Sequence, residues 1–269
     1  MRHNYGPASW AARGVRSGLV TDRERSKVAA GAFIGFASVS PKRDLVIIGA
    51  GGFGAIAACA AEDINEVSFE NGEEVPWNLV GYADCDAEKW GVSHAGCTVH
   101  GTIEDVARAQ GDRELWFLCA VGDNVARAEM VRLAQSFGWK PATLVHPSAI
   151  LASNAVIGEG TYIGPAAVVS SNAKIGAHVI IDMQVSVGHD AVVQDFCAVF
   201  PGARVTGRCH LGEYVIVGSN AALLPGTIVG DRAVVGASSF AHGRIEPDTT
   251  VLGVPARIIH RRAKSFSHQ

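Results

Sequence analysis

Residues 155–175 read AVIGEG-TYIGPA-AVVSSN-AKI, and the spacing inside this stretch decides the fold. Ile157, Ile163, Val169 and Ile175 lie six apart. The same step continues through Ile181, Val187, Val193, Val199, Val205, Leu211, Val217, Leu223 and Val229 to Val235 without a miss. A helix repeats its apolar face near 3.6 residues and a lone strand near 2, so neither produces a period of six. The period is that of a parallel β-helix, in which each hexapeptide forms one short side of a coil and neighbouring coils supply hydrogen bonds and core. The residue two before each aliphatic is small or β-branched, from Ala155 and Thr161 through Cys197 and Cys209 to Ala233, and strand alternation sends both sets inward. Glycine follows the aliphatic at Gly158, Gly164, Gly176, Gly188, Gly212, Gly218, Gly230 and Gly236, where sharp corners are expected to need positive φ.

Upstream the texture changes. Leu45–Ile48 reads as a buried strand, Phe53–Ala61 as a helix, Leu79–Ala83 as a strand, Ile103–Gln110 as a helix, Leu115–Val121 as a strand and Val125–Phe137 as a helix, with Thr143–Val145 as a brief fourth strand. The expected architecture is a small Rossmann-like parallel-sheet domain over residues 44–145, then a β-helix with a C-terminal tail over 146–269. Residues 1–43 carry arginines, glycines and serines but no motif, and read as an N-terminal extension, either a disordered arm or an over-extended start. Their apolar run, Val28–Val39, falls short of the ~20 residues a membrane span needs. It also follows Arg23, Glu24, Arg25 and Lys27, which fits a cleaved signal poorly.

With 48% hydrophobic and 18% charged residues, the 269-residue chain has ample material for a core. A net charge of −3 gives no broad basic field, so small molecules are the expected partners rather than nucleic acid or an anionic membrane. Six cysteines without C-x-x-C spacing fit a reducing compartment, which points to the cytoplasm.

Coils stacked at the strand spacing of ~4.8 Å place residues eighteen apart directly above one another. Ser171, His189, Gly207 and Pro225 then form one column, with His189 just past the corner residue Gly188 and outside the core. From position alone, a solvated surface histidine is the alternative to a functional one. Gly207, above it, has no side chain and offers room and a backbone N–H.

The repeat resembles the left-handed β-helix acyltransferases, and further phrases narrow the likeness: Gly49-Ala50-Gly51-Gly52-Phe53-Gly54, Ala120-Val121-Gly122-Asp123-Asn124, Leu144-Val145-His146-Pro147-Ser148-Ala149, His189-Asp190 and Gly253-Val254-Pro255-Ala256-Arg257. Across residues 44–262 the chain is similar to the sialic acid O-acetyltransferase and UDP-4-amino-sugar N-acetyltransferase group. That resemblance implies acetyl-CoA as co-substrate and a sugar acceptor, either a nucleotide-linked amino sugar or a sialic acid. It also implies a homotrimer with active sites between subunits. It places the acceptor at Gly51, Gly52, Phe53, Asp84, Cys85 and Gly122, and acetyl-CoA along a wall near Gly207, Ser219 and Ala237. Two positions depart from the pattern: Phe53 stands where many UDP-sugar relatives have histidine, and Ala198 stands where some relatives have a cofactor-contacting histidine.

Acetyl transfer needs a base of near-neutral pKa for the acceptor's proton, which makes His189 the candidate general base. Asp190 would orient its ring, and the Gly207 N–H would meet the oxyanion, as the corresponding glycine does in the resembling family. Cys197 and Cys209 occupy inward positions and read as core, so direct transfer is expected rather than a covalent acyl-enzyme. The glycine-rich turn alone would admit a nucleotide-dependent oxidoreductase, although Asp84 follows it by about thirty residues where about twenty is usual. A non-catalytic β-helix scaffold is the other alternative. His178, His189, His210 and His242 do not fall on one edge of adjacent coils, so no metal is expected. Arg257, Arg261, Arg262 and Lys264 could meet a CoA phosphate or form a solvated tail.

Overall fold

A computed structural model describes residues 42–261. The reading of residues 1–43 as an extension lies outside the described residues except for Lys42 and Arg43, as do Arg262 and Lys264.

The first part is a parallel sheet. Strands β1 (Arg43–Ile48), β2 (Trp77–Ala83), the short hairpin pair β3 (Ser93–His94) and β4 (Cys97–Thr98), β5 (Leu115–Cys119) and β6 (Lys140–Pro141) alternate with helices α1 (Gly52–Glu70), α2 (Ile103–Gln110) and α3 (Asn124–Ser136). The main sheet has the order β2-β1-β5-β6, so the chain reverses direction across the sheet between β1 and β5. The central strand β1 is buried on both faces. Leu45 and Ile47 pack with Ala57, Ala58 and Ala61 of α1, whereas Val46 and Ile48 pack with Ile103 and Val106 of α2 and Val131 and Ala134 of α3. Helix starts are set locally. Thr102 Oγ1 accepts from Asp105 N at 3.2 Å while Asp105 Oδ2 accepts from Thr102 N at 3.1 Å, a reciprocal cap on α2. Asp123 Oδ1 caps α3 by accepting from Val125 N and Ala126 N.

One sequence expectation is corrected here. The fourth strand of this sheet is Lys140–Pro141, not Thr143–Val145, because Leu144–Val145 pairs with Tyr162–Ile163 and so opens the first coil of the second part.

That second part is a left-handed parallel β-helix of triangular coils. Its first face stacks Leu144–Val145, Tyr162–Ile163, Ile180–Ile181, Ala198–Val199, Ile216–Val217 and Val234–Val235. The second face runs from Ile150–Leu151 through Ser186–Val187 to Phe240–Ala241, and the third from Val156–Ile157 through Val192–Val193 to Arg244–Ile245. Pairs such as Tyr162 with Ile180 and Ile180 with Ala198 confirm the eighteen-residue step. The last coil is two residues shorter, since Ile228 pairs with Arg244, and a hairpin of Thr249–Gly253 with Ala256–Arg261 closes the stack. Inward aliphatics and small residues alternate in one continuous core, from Ile163 and Ala167 to Val235 and Val251, which lets the layers interdigitate.

The corner glycines serve a different purpose from the one their position implies. The residues with positive φ fall two places later, at Ala166, Asn172, His178, Gln184, Asp190, Phe196, Arg208, Tyr214 and others. Glycine is needed after the aliphatic because the next coil passes too close: a Cβ on Gly188 would lie 2.5 Å from Gly207 N, and one on Gly218 would lie 2.5 Å from Ala237 N. Close approach, rather than a left-handed backbone, selects glycine at these sites.

The sheet part covers the first face. Tyr162, Ile180 and Ala198, which point outward from it, are buried with Leu45, Ala57 and Ala61 of β1 and α1. At the corner between the third and first faces, α3 is anchored by Arg127 and by Asn124, whose Nδ2 donates to Tyr214 O at 3.0 Å.

Candidate active site

His189 and Asp190 lie between Ser186–Val187 and Val192–Val193, hence on the corner joining the second and third faces, opposite the face that the sheet part covers. Main-chain hydrogen bonds tie the column together: Asp190 N donates to Ser171 O at 3.0 Å, Arg208 N to His189 O at 2.8 Å and Gly226 N to Gly207 O at 3.0 Å. His189 Nδ1 is 2.8 Å from Asp190 Oδ2, and the two side chains are 53% and 48% exposed. The pair therefore faces solvent. Asp190 reaches this position with φ of 57°, a left-handed conformation that Asp tolerates better than most residues.

The hydrogen bond from His189, followed by one from Asn172, holds the Asp190 carboxyl below its usual range. An ionised Asp190 accepts from Nδ1–H, which leaves the Nε2 lone pair free to accept a proton. The Nε2 edge lies against Gly207, where a Cβ would come within 2.5 Å of it. The Gly207 N–H makes no hydrogen bond among the described residues. An imidazole with a free lone pair thus sits beside an unused main-chain donor.

Ser219 and Ala237 lie one above the other on the corner joining the first and second faces, linked through Ser238 N, which donates to Ser219 O at 2.8 Å. The structure does not place them with Gly207. They flank the opposite edge of the second face. Ala198 is fully buried beneath α1, so this chain has no cofactor wall at that position. Cys197 and Cys209 are buried, with their thiols toward Gly212 O and Leu224 O, and burial pushes the Cys197 thiol up to about 12. Both match the core reading.

The glycine-rich turn follows β1 and opens α1. Gly49 (φ 102°) faces Ala120 O, and a Cβ on Gly54 would collide with Gly49 O, so these two glycines are structural. Gly51, Gly52 and Gly122 have open space where a Cβ would stand, and they sit at the carboxyl ends of β1 and β5, where the strand order reverses. Ligands of open parallel sheets bind at such points. A cavity of about 310 Å³ opens beside them, lined among others by Ile48, Asp84, Cys85, Glu104 and Val121.

Asp84 is already committed. Its carboxylate accepts from Ala50 N at 2.7 Å, from Asp86 N at 2.9 Å and from Lys89 Nζ at 3.1 Å. Burial raises its pKa, but these donors outweigh burial and hold it below the usual range. It braces the glycine-rich turn. Phe53 lies edge-on to Tyr162, with ring centroids 5.2 Å apart, and belongs to the junction with the coil.

Several residues in or near the site carry no signal in the sequence reading above. His94 Nε2 lies 3.0 Å from Gly51 O, Thr102 and Glu104 line the cavity, and Asn154 and Asn172 extend the Asp190 column downward. The asparagines were findable, because they follow the same eighteen-residue step. Among the described residues, no cluster of three or more potential ligands could hold a metal, and no helix is long and apolar enough to cross a membrane.

Comparison with known proteins agrees with this layout. The PglD N-terminal domain family matches residues 44–133. The putative lipopolysaccharide biosynthesis O-acetyl transferase WbbJ of Escherichia coli is 44% identical over 59 residues, 22% of this chain and only 28% of WbbJ. The carnitine operon protein CaiE of the same species is 32% identical over 140 residues, 48% of this chain and 69% of CaiE. Among solved structures, PerB from Caulobacter crescentus in complex with CoA and GDP-perosamine superposes with a TM-score of 0.69 at 26% identity, covering 81% of this chain and 97% of PerB. The acetyltransferase domain of PglB from Neisseria gonorrhoeae in complex with acetyl coenzyme A gives 0.68 at 28% identity, covering 81% of this chain and all of that domain. With a PglD-type sheet domain leading into a left-handed hexapeptide β-helix, the chain belongs to the hexapeptide-repeat sugar acetyltransferases.

Proposed function

We propose that the protein transfers an acetyl group from acetyl-CoA to the amine or hydroxyl of a sugar, with His189 as general base. The observation that carries this reading is the His189–Asp190 pair at 2.8 Å with its free nitrogen against Gly207. Nε2 takes the acceptor's proton as the amine or hydroxyl attacks the thioester carbonyl. The Gly207 N–H donates to the oxyanion, and collapse of the intermediate expels CoA as its thiolate. Asp190 keeps the proton on Nδ1 and offsets the imidazolium charge. The same base serves N- and O-acetylation.

Gly51, Gly52 and Gly122, with Asp84, Cys85 and Phe53 around them, hold the acceptor, a nucleotide-linked amino sugar or sialic acid. GDP-perosamine in the PerB complex supports a nucleotide-linked sugar. Residues 44–143 form the acceptor domain, and the coil from Leu144 onward forms the acyltransferase domain. The acceptor domain sits on the first face and His189 on the opposite edge, so the acceptor reaching His189 comes from a neighbouring subunit of a homotrimer. The same packing lets acetyl-CoA meet Gly207 of one subunit while Ser219 and Ala237 belong to another. We place the enzyme in the cytoplasm, where acetyl-CoA and nucleotide sugars are available. An oxidoreductase is disfavoured, because Asp84 follows the glycine-rich turn by about thirty residues where a ribose-binding carboxylate usually follows by about twenty.

The test is thiol release from acetyl-CoA with GDP-perosamine, UDP- and dTDP-amino sugars and free sialic acid. Wild type should turn over at least one acceptor, and His189→Ala should reduce kcat by about 10²–10⁴. Release unaffected by the substitution would refute the assigned base. No release with any acceptor would favour a scaffold, and micromolar NAD binding would revive the oxidoreductase.

A further inference from the structure

We infer that Asn172 is a positioning residue for His189, acting through Asp190; the inference rests on the reading of His189 as the base. Asn172 Nδ2 lies 3.0 Å from Asp190 Oδ1, while Asp190 Oδ2 lies 2.8 Å from His189 Nδ1. The carboxylate is thereby held at both oxygens. Because a carboxylate only accepts, the Asn172 atom facing it must be the amide nitrogen. The other end of the amide is fixed as well: Asn172 Oδ1 accepts from Asn154 Nδ2 at 2.7 Å, and Asn172 N donates to Asn154 Oδ1 at 3.2 Å. Asn154, Asn172 and Asp190 follow the coil step and form a ladder along one corner edge.

The chemical consequence falls on the histidine. An exposed carboxylate without a second partner turns about its terminal torsion, which is broad for Asp. One whose far oxygen is tied down presents the near oxygen to Nδ1 in a single orientation. That selects the Nδ1–H tautomer and leaves Nε2 as the acceptor facing Gly207. A neutral donor is the suitable group at residue 172. A second carboxylate there would repel Asp190, and a cation would compete with the imidazolium for it. The backbone at Asn172 has φ of 58°, a conformation that Asn and Asp adopt readily and Ala does not. An alanine variant alone would therefore mix a backbone effect with the loss of the donor.

The experiment uses the full-length chain with its histidines ¹⁵N-labelled, recorded at pH 9 and assigned against His189→Gln. Wild type should show His189 mainly as the Nδ1–H tautomer. In Asn172→Asp, which keeps the backbone preference but replaces donor by acceptor, and in Asn172→Ala, the population should move toward the Nε2–H form that free imidazole prefers, at unchanged far-UV circular dichroism. Unchanged tautomers in both variants, with a shift in Asp190→Asn, would overturn the role of Asn172 and leave the His189–Asp190 pair standing. No shift in Asp190→Asn would overturn the pair itself. Loss of folding in both Asn172 variants would assign the residue to the coil's stability and equally overturn the inference.

Discussion

Arg127 reaches from α3 to the carbonyl oxygen of His178, with Nε 3.1 Å away. The same guanidinium donates to Val121 O at 2.9 Å, Phe196 O at 2.7 Å and Cys197 O at 3.1 Å. It is 1% exposed and has no carboxylate partner among the described residues; burial lowers its pKa to about 10, so it stays charged near neutrality. Main-chain carbonyls of two coils, together with that of Val121, take the place of a counterion. Arg127→Met keeps most of the volume but strands these acceptors, and should cost about 2–4 kcal/mol in chemical denaturation. A loss below about 1 kcal/mol would show that the carbonyls find water instead.

His178 itself stacks between Phe117 and Phe196, and Phe196 stacks on Tyr214, with centroid spacings of 6.2, 5.2 and 5.3 Å. Its Nδ1 is buried without a partner among the described residues, and burial, with Arg127 nearby, lowers its pKa from 6.5 to about 4. Between these values the unfolded chain binds a proton that the folded chain refuses, so stability falls as pH falls through this window. The shift corresponds to about 3 kcal/mol fully expressed near pH 4. His178→Phe extends the ring stack and should flatten this part of the profile. Denaturation midpoints at pH 7 and pH 4.5 test it, and an equal acid-induced drop in both proteins would refute it.

The coil was legible because its inward rule is strict: a core this narrow admits only aliphatic and small side chains at fixed places. The His189–Gly207 column followed from the same step by arithmetic. The clamp at Arg127 was not legible, since three of its four carbonyl acceptors lie 51 to 70 positions away, and a carbonyl leaves no mark in sequence. That Ser219 and Ala237 lie on another corner of the same chain than Gly207 was not legible for a different reason. They are twelve or more residues from it, and only counting hexapeptides puts them on another corner. The N–H groups that hold Asp84 were not legible either, because a strand-end carboxylate shows its charge but not its donors.

Gly207→Ala tests the tight side of the base. The residue has ordinary backbone geometry, so the cost is local: the new Cβ must displace the His189 ring from 2.5 Å. A shift of the base by about an ångström should reduce kcat about 10–100-fold with stability nearly unchanged. Full activity would show that the ring does not work from the position seen here.

Gly54 and Gly51 should separate structure from binding within one turn. A Cβ on Gly54 meets the Gly49 carbonyl oxygen, so Gly54→Ala should destabilise by about 3 kcal/mol or more. Gly51 is the N-cap of α1 with open space around it, and Asp is a favoured N-cap. Gly51→Asp should leave stability within about 0.5 kcal/mol of wild type. Its charge should still raise KM for an anionic nucleotide-sugar acceptor at least tenfold while KM for acetyl-CoA stays put. Equal changes in both constants would remove the turn from the acceptor site.

Gly51→Asp and His189→Ala together test whether the active site is shared between subunits. Within one chain the glycine-rich turn belongs to the part covering the first face, and His189 points away from it at the opposite corner. If each site takes its acceptor domain from one subunit and its base from the next, the two impaired variants co-expressed will assemble some sites with both parts intact, which is read at acceptor concentrations well below the KM of Gly51→Asp. Random mixing in a trimer makes this roughly a quarter of all sites. Activity near that fraction of wild type at limiting acceptor, well above either variant alone, is the expected outcome in steady-state assays of the co-purified protein. No recovery in verified mixed trimers would place acceptor and base within a single chain, which would require the sheet part to leave the first face and expose Tyr162, Ile180 and Ala198 during turnover.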